Sequence, residues 1–113
     1  MKKIEAIIRP EMLNMVKDAL VKAGFSGLTT TQVTGRGAQR GIVHTGRSGQ
    51  SVVIDMLPKL KLEMVVSDSD LDRAIDVIVE VSRTGEIGDG KIFVQPVEQV
   101  VRVRTGERGE SAI

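Results

Sequence analysis

Apolar and polar positions along the chain switch between two periods. Ile4-Glu5-Ala6-Ile7-Ile8 is a short β-rich run that stops at Arg9-Pro10. From Glu11 onward, Leu13, Val16, Leu20 and Ala23 recur at helical spacing, with Asn14, Lys17, Asp18 and Lys22 on the other side. Pro10 suits a first helical turn, where its missing N–H costs nothing, and Gly24 marks the end. Residues 28–34, rich in Thr and Val, predict a second strand. Leu60-Lys61-Leu62-Glu63-Met64-Val65-Val66 alternates and then runs apolar, predicting a third. Ser67-Asp68-Ser69-Asp70 offers capping side chains, with Asp70 three residues after Ser67 in capping-box fashion. Leu71, Ala74, Ile75 and Ile78 form the stripe of a second helix. A turn-rich connector at residues 84–90 leads to a fourth strand at Lys91-Ile92-Phe93-Val94, closed by Pro96. Residues 100–104 predict a short fifth strand, and residues 106–113 a polar, flexible tail.

The order β-α-β, long loop, β-α-β predicts an α+β fold of the ferredoxin-like βαββαβ type. It has an antiparallel sheet with both helices on one face, in a single domain over residues 1–113. The strands carry apolar residues on both faces: Ile4, Ala6 and Ile8 against Ile7, and Leu60, Leu62 and Met64 against Val65. A sheet with one wet face alternates more cleanly. The uncovered face is therefore expected to be buried against other copies in a closed ring.

Between the second and third strands, residues 35–59 show no helical apolar period. Gly41, Thr45, Gly46, Ser48, Gly49 and Ser51 offer little to a core. A connection longer than about 15 residues in a compact domain is uncommon and is usually functional. Net charge is +1, so bulk charge suggests neither nucleic acid nor anionic membrane as a partner. Two Phe, with no Trp or Tyr, argue against a platform for stacking bases. The absence of cysteine excludes disulfides, thiol catalysis and cysteine-ligated metal. The first residues lack a signal-peptide run, and no stretch approaches the ~20 apolar residues of a membrane span. A cytoplasmic protein without membrane insertion is the expectation.

Acid–base chemistry finds little support. The one histidine, His44, lies among small loop residues, and no Ser–His–Asp arrangement can be argued. Asp55, Glu63 and Asp89 do not form a recognisable pair, and Asp68, Asp70 and Asp72 lack the later glycine and glutamate of a calcium loop. Phosphate chemistry is better served. Gly35-Arg36-Gly37 and Gly88-Asp89-Gly90-Lys91 are glycine turns with cations, able to bring backbone N–H groups to phosphate oxygens. Arg102 and Arg104 would share one face of an extended segment, suited to forked contacts. No Walker-type loop is present. An anionic, phosphate-bearing ligand is the inference.

With these residues in view, the chain resembles the PII nitrogen-regulatory signal-transduction proteins almost end to end. The resemblance is most specific in Thr84-Gly85-Glu86-Ile87-Gly88-Asp89-Gly90-Lys91-Ile92-Phe93-Val94, in Arg102-Val103-Arg104-Thr105-Gly106-Glu107, and in Leu57-Pro58-Lys59 ahead of Glu63. It implies a homotrimer with ATP or ADP in the clefts between subunits and 2-oxoglutarate beside Mg²⁺ and ATP. By the same resemblance, Ile7, Thr29, Gly35, Arg36, Gly37, Ala38, Gln39, Glu63 and Val65 would contribute to the nucleotide site. Gly88, Asp89 and Gly90 would close it, and Lys91, Arg102 and Arg104 would meet phosphates. Gln39, Arg40, Gly41, Lys59 and Gly88 would hold 2-oxoglutarate, with Gln39 also toward Mg²⁺. Residues 37–55 look like the family's T-loop, which docks onto targets such as the ammonium channel and so recruits the protein to the inner membrane face.

The sequence also departs from that pattern. Ala38 stands where the family commonly has an arginine that reaches the phosphates. The chain has no tyrosine, so control by uridylylation of the family's loop tyrosine cannot operate; the matching region reads Gln50-Ser51-Val52. The resemblance implies a sensor and not an enzyme. Alternatives are a regulator of nitrogenase or of another transporter with an altered 2-oxoglutarate response, a weak ATPase using the same cleft, and a structural trimer.

Overall fold

A computed structural model of the chain describes residues 1–37, 42–45, 49, 51–54 and 56–113. Strand β1 (Lys2–Ile8) is followed by helix α1 (Leu13–Lys22), β2 (Thr29–Gly35), β3 (Ile42–Thr45), β4 (Ser51–Ile54), β5 (Leu57–Val66), helix α2 (Leu71–Ser82) and β6 (Lys91–Pro96). The main sheet has the order β2-β5-β1-β6, and every pairing in it is antiparallel. This is the ferredoxin-like arrangement that the element order predicts. Strands from both halves share this one sheet.

Alternation of side chains along β1 and β5 sets the core. Ile4, Ala6 and Ile8 on β1 and Leu60, Leu62, Met64 and Val66 on β5 are buried, and they meet Val16 and Leu20 of α1 and Ala74 and Ile78 of α2. Each fully buried Leu or Ile contributes about 1.5–3 kcal/mol. The other sheet face is not the apolar surface the sequence suggested. Lys3, Glu5, Lys61 and Glu63 lie between Ile7 and Val65, and two crossed pairs join the strands: Lys3–Glu63 at 3.0 Å and Lys61–Glu5 at 3.2 Å. Ile7 and Val65 are thus islands in a polar surface, because each faces a lysine across the β1–β5 ladder.

Local chemistry fixes the helix boundaries. Arg9 is extended ahead of Pro10, as a residue before proline prefers, and a 3₁₀ turn at Pro10–Met12 feeds α1. At the other end Gly24 takes φ +95. Its N–H reaches the Val21 carbonyl at 3.0 Å, and that of Phe25 reaches Leu20 at 2.8 Å. This pair of hydrogen bonds is a Schellman closure, with Phe25 and Leu20 both in the core. The predicted capping box ahead of α2 does not form. A 3₁₀ turn occupies Asp68–Asp70 and the Ser67 side chain makes no cap bond. The Asp68 carboxylate instead holds the Met1 amino group at 3.0 Å, and Asp70 holds Arg73 at 3.2 Å.

Three further expectations differ from the fold. The loop expectation over residues 37–55 includes a ribbon, with β3 paired antiparallel to β4 in the register Ile42↔Ile54 to Thr45↔Ser51. The fifth strand is absent: residues 103–105 turn back, leaving one isolated bridge, Val101↔Arg108. Residues 106–113, expected as a flexible tail, fold against the body. They include a 3₁₀ turn at Glu110–Ala112, and Ala112 is buried.

Candidate functional site

The predicted site residues fall into two groups. The first gathers where β1 ends, β6 begins and β5 begins. Ile7 pairs with Lys91, and Gly90 is pressed so closely onto β1 that an added methyl would lie 1.7 Å from the Ile7 carbonyl oxygen. Lys59 donates from Nζ to the Gly88 carbonyl at 2.9 Å, and the Lys59 stem passes 3.7 Å from where a Gly35 methyl would stand. Sheet register explains this proximity: Val33 pairs with Lys59 and Gly35 with Leu57. Pro58 pairs with Thr34, while β1 reaches only to Leu60. It therefore has a strand neighbour on one side alone, where proline is tolerated. Arg36 and Gly37 follow, both exposed. A cavity of about 710 Å³ lies alongside, lined by Pro10, Leu13, Gln32, Val33, Thr34, Pro58, Lys59 and Leu60.

Asp89 organises the turn. Its carboxylate accepts from the Thr84 hydroxyl, from the amides of Thr84 and Gly85 at 2.9 Å each, and from Arg9 Nε at 3.3 Å. Arg9 also donates to the Ile87 carbonyl at 2.9 Å. The Thr84 hydroxyl is the largest influence on Asp89. Desolvation opposes it, but the two amides and Arg9 add to it and bring the carboxyl down to about 2. Asp89 therefore acts as a structural anion inside the turn. Arg9 is neutralised by it, and Lys59, Lys91 and Arg36 lie at the same end of the sheet.

The second group lies at the far end. Thr29 pairs with Glu63, and Val65 lines a cavity of about 370 Å³ shared with Gly27, Glu110 and Ile113. The chain leaves β6 beside Met1, where the Val97 N–H reaches the Met1 carbonyl at 3.1 Å. Arg102 is then fixed by the Glu107 carboxylate at 3.1 Å and the Ser111 carbonyl at 3.2 Å. Arg102 and Arg104 therefore do not share a face of an extended strand, as their spacing suggested; they flank a turn, and Arg104 is exposed. From Lys59 to Val65 is six residues of strand, or about 20 Å. Within one chain, Arg102 and Arg104 do not join Lys91.

Ala38, Gln39, Arg40 and Gly41 lie outside the described residues. Sequence reasoning missed Arg9 and Thr84 as the residues that shape the turn. Their partners lie on Asp89 and Ile87, and in a single sequence nothing ties Arg9 to a loop some 80 residues on. Among the described residues no group of three or more His, Cys, Asp or Glu could hold a metal ion, and no helix is long and apolar enough to cross a membrane.

The family model described as nitrogen regulatory protein P-II matches residues 1–107. Nitrogen regulatory protein P-II 2 of Methanothermobacter thermautotrophicus is 54% identical over all 113 residues, covering 97% of that protein. The P-II proteins of Cereibacter sphaeroides and Azospirillum brasilense are 53% and 54% identical, with both chains covered in full. The chain is a member of the nitrogen regulatory protein P-II family.

Proposed function

We propose that this P-II protein is a homotrimeric sensor of ATP, ADP and 2-oxoglutarate. In this reading residues 37–55 dock onto a nitrogen-metabolism target such as the ammonium channel. One observation carries it: the residues suited to a phosphate-bearing ligand are split between opposite ends of one sheet. A cleft between neighbouring copies would bring the Gly88–Lys91 turn of one subunit to Arg102 and Arg104 of the next. The glycine turn and Lys91 suit phosphates, which need close backbone approach and a cation. Lys59 suits a carboxylate of 2-oxoglutarate. Mg²⁺, in this reading, would take oxygen ligands from phosphates, from the oxoacid and from Gln39.

The protein's part is to bind and to reposition a loop; no residue is assigned a catalytic role. Ligand-dependent docking requires the ligands to differ in affinity for two loop states, with coupling of about 1–3 kcal/mol. Because the chain lacks tyrosine, loop control by tyrosine modification is excluded. The protein would act from the cytoplasm and reach the membrane only through a channel.

Subunit mixing tests the shared cleft. Calorimetry should show ATP binding lost in Lys91→Gln and in the double variant Arg102→Gln/Arg104→Gln. Co-refolding the two should restore a fraction of the sites, because some interfaces then combine two intact halves. A mixture no better than its parents would sink the shared cleft, as would a stable monomer by light scattering. Lys59→Ala should abolish 2-oxoglutarate binding while ATP binding survives; unchanged affinity for the oxoacid would remove Lys59 from the site.

A further inference from the structure

On the α2 side of the 84–90 turn lies a separate cavity of about 290 Å³. Its walls are apolar, formed by Ile78, Val79 and Ile92 among others. Ser82, the last residue of α2, also lines it. Ser82 is 6% exposed, and its hydroxyl has no hydrogen-bond partner among the described residues. Buried hydroxyls are nearly always paired, since an unpaired one keeps its desolvation penalty with nothing to offset it. An alanine would continue the Ala74–Ile78 stripe at lower cost, so this hydroxyl is unexplained by packing.

The mouth supplies charge. Arg83 lines it and makes no ion pair among the described residues. Asp89 is also at the mouth, but its oxygens are already taken by Arg9, Thr84 and Gly85. With Asp89 committed to Arg9, Arg83 leaves the rim positive. The C-terminal end of α2 adds a partial negative charge, which Arg83, next in the chain, offsets. The volume is at the small end of ligand pockets, which start at roughly 300 Å³, and is too small for a nucleotide.

The geometry points to a second small-ligand site here, taking a short branched aliphatic carboxylate. Its hydrocarbon body would fill the apolar walls, one carboxylate oxygen would accept from Ser82 Oγ–H, and its charge would face Arg83. The site shares Asp89, Gly90 and Lys91 as lining with the turn of the cleft proposed above, but its hydroxyl and its cation come from the end of α2.

Titration of the full chain with 3-methylbutanoate, followed by amide NMR with and without saturating ATP, tests this. Saturable shifts at residues 78–83 and at Ile92 are expected under both conditions. Ser82→Ala should weaken binding about five-fold, the worth of one lost hydrogen bond, without lowering the melting temperature. Arg83→Gln should weaken the acid but not 3-methylbutan-1-ol. The proposal is overturned by the absence of saturable shifts, by wild-type affinity in both variants, or by displacement of the acid by ATP.

Discussion

Replacing Gly90 by alanine tests a close backbone approach between the 84–90 turn and β1. The added methyl would lie 1.7 Å from the Ile7 carbonyl oxygen and 2.8 Å from its carbon, both backbone atoms of a central strand. Gly90 also has φ +104, a conformation that costs a non-glycine residue about 1–3 kcal/mol. Gly85→Ala supplies the internal control: φ is +87, yet nothing lies within 4 Å of the added methyl. Both variants carry the conformational cost, and only Gly90→Ala carries the collision. Overpacking against neighbours that cannot rotate away adds about 1–3 kcal/mol. At about 4 °C per kcal/mol for a domain of this size, Gly90→Ala should melt roughly 4–12 °C below Gly85→Ala. The comparison is made by circular dichroism on ligand-free protein at one concentration, since association would otherwise shift both midpoints. Melting within about 2 °C of each other, a fraction of a kcal/mol on the same scale, would mean that the Ile7 carbonyl does not stand against Gly90.

Further outcomes follow from the same contacts. The Asp89 carboxyl titrates near about 2 in the folded chain, below the ordinary value of about 3.9; its contribution to stability is therefore complete above that ordinary value and is lost as pH falls toward 2. Asp89→Asn should flatten urea-midpoint stability over that window, and an unchanged slope would mean that other carboxylates control it. Arg73 stacks 4.3 Å over the Phe25 ring, donates to the Ala23 carbonyl and pairs with Asp70. Because Arg73 is half exposed, Arg73→Ala should cost only about 1 kcal/mol in urea unfolding, with Arg73→Lys recovering part of it. Leu62 is wholly buried at the centre of the sheet, so Leu62→Ala should cost about 2–5 kcal/mol; a loss under 1 kcal/mol would contradict its placement.

Periodicity made most of the fold legible. The 3.6-residue stripe of α1, the alternation in β5, and Pro10 and Gly24 as boundaries all act through neighbours close in sequence. What escaped depended on distant partners. Ser67 and Asp70 have the spacing of a capping box, but Asp68 is drawn to the amino terminus, and the turn tightens into a 3₁₀ segment. The alternating Arg102 and Arg104 read as a strand, yet Arg102 folds back on Glu107 and Ser111, and this also ties down the last residues. Residues 42–45 and 51–54 carry β-forming side chains on both sides of a glycine-serine segment. Reading the whole stretch by its glycines concealed the ribbon. The candidate site residues could be named by type; their division between two ends of the sheet could not be read, because spacing along the chain does not report which end of β1 a later segment adjoins.

That division bears on the open sheet face as well. The face carries Lys3–Glu63 and Lys61–Glu5 pairs with side chains about one-quarter to one-third exposed. In water such pairs contribute little, about 0–1 kcal/mol each. If copies meet over this face, as the proposed trimer requires, the pairs lose solvent and breaking one partner becomes far more costly than in the free chain. The crossed geometry helps, since each charge already has its counterion on the adjacent strand before any partner arrives. A face of this kind tolerates burial without demanding it, whereas Phe93, 49% exposed on the β6 edge, favours contact outright. Association would then draw its strength from apolar residues at the edge and around Ile7 and Val65, while the crossed pairs reject misaligned partners. Such an interface can hold two half-sites in fixed register, and a ligand bridging them would read the relation between neighbours as well as the residues of either.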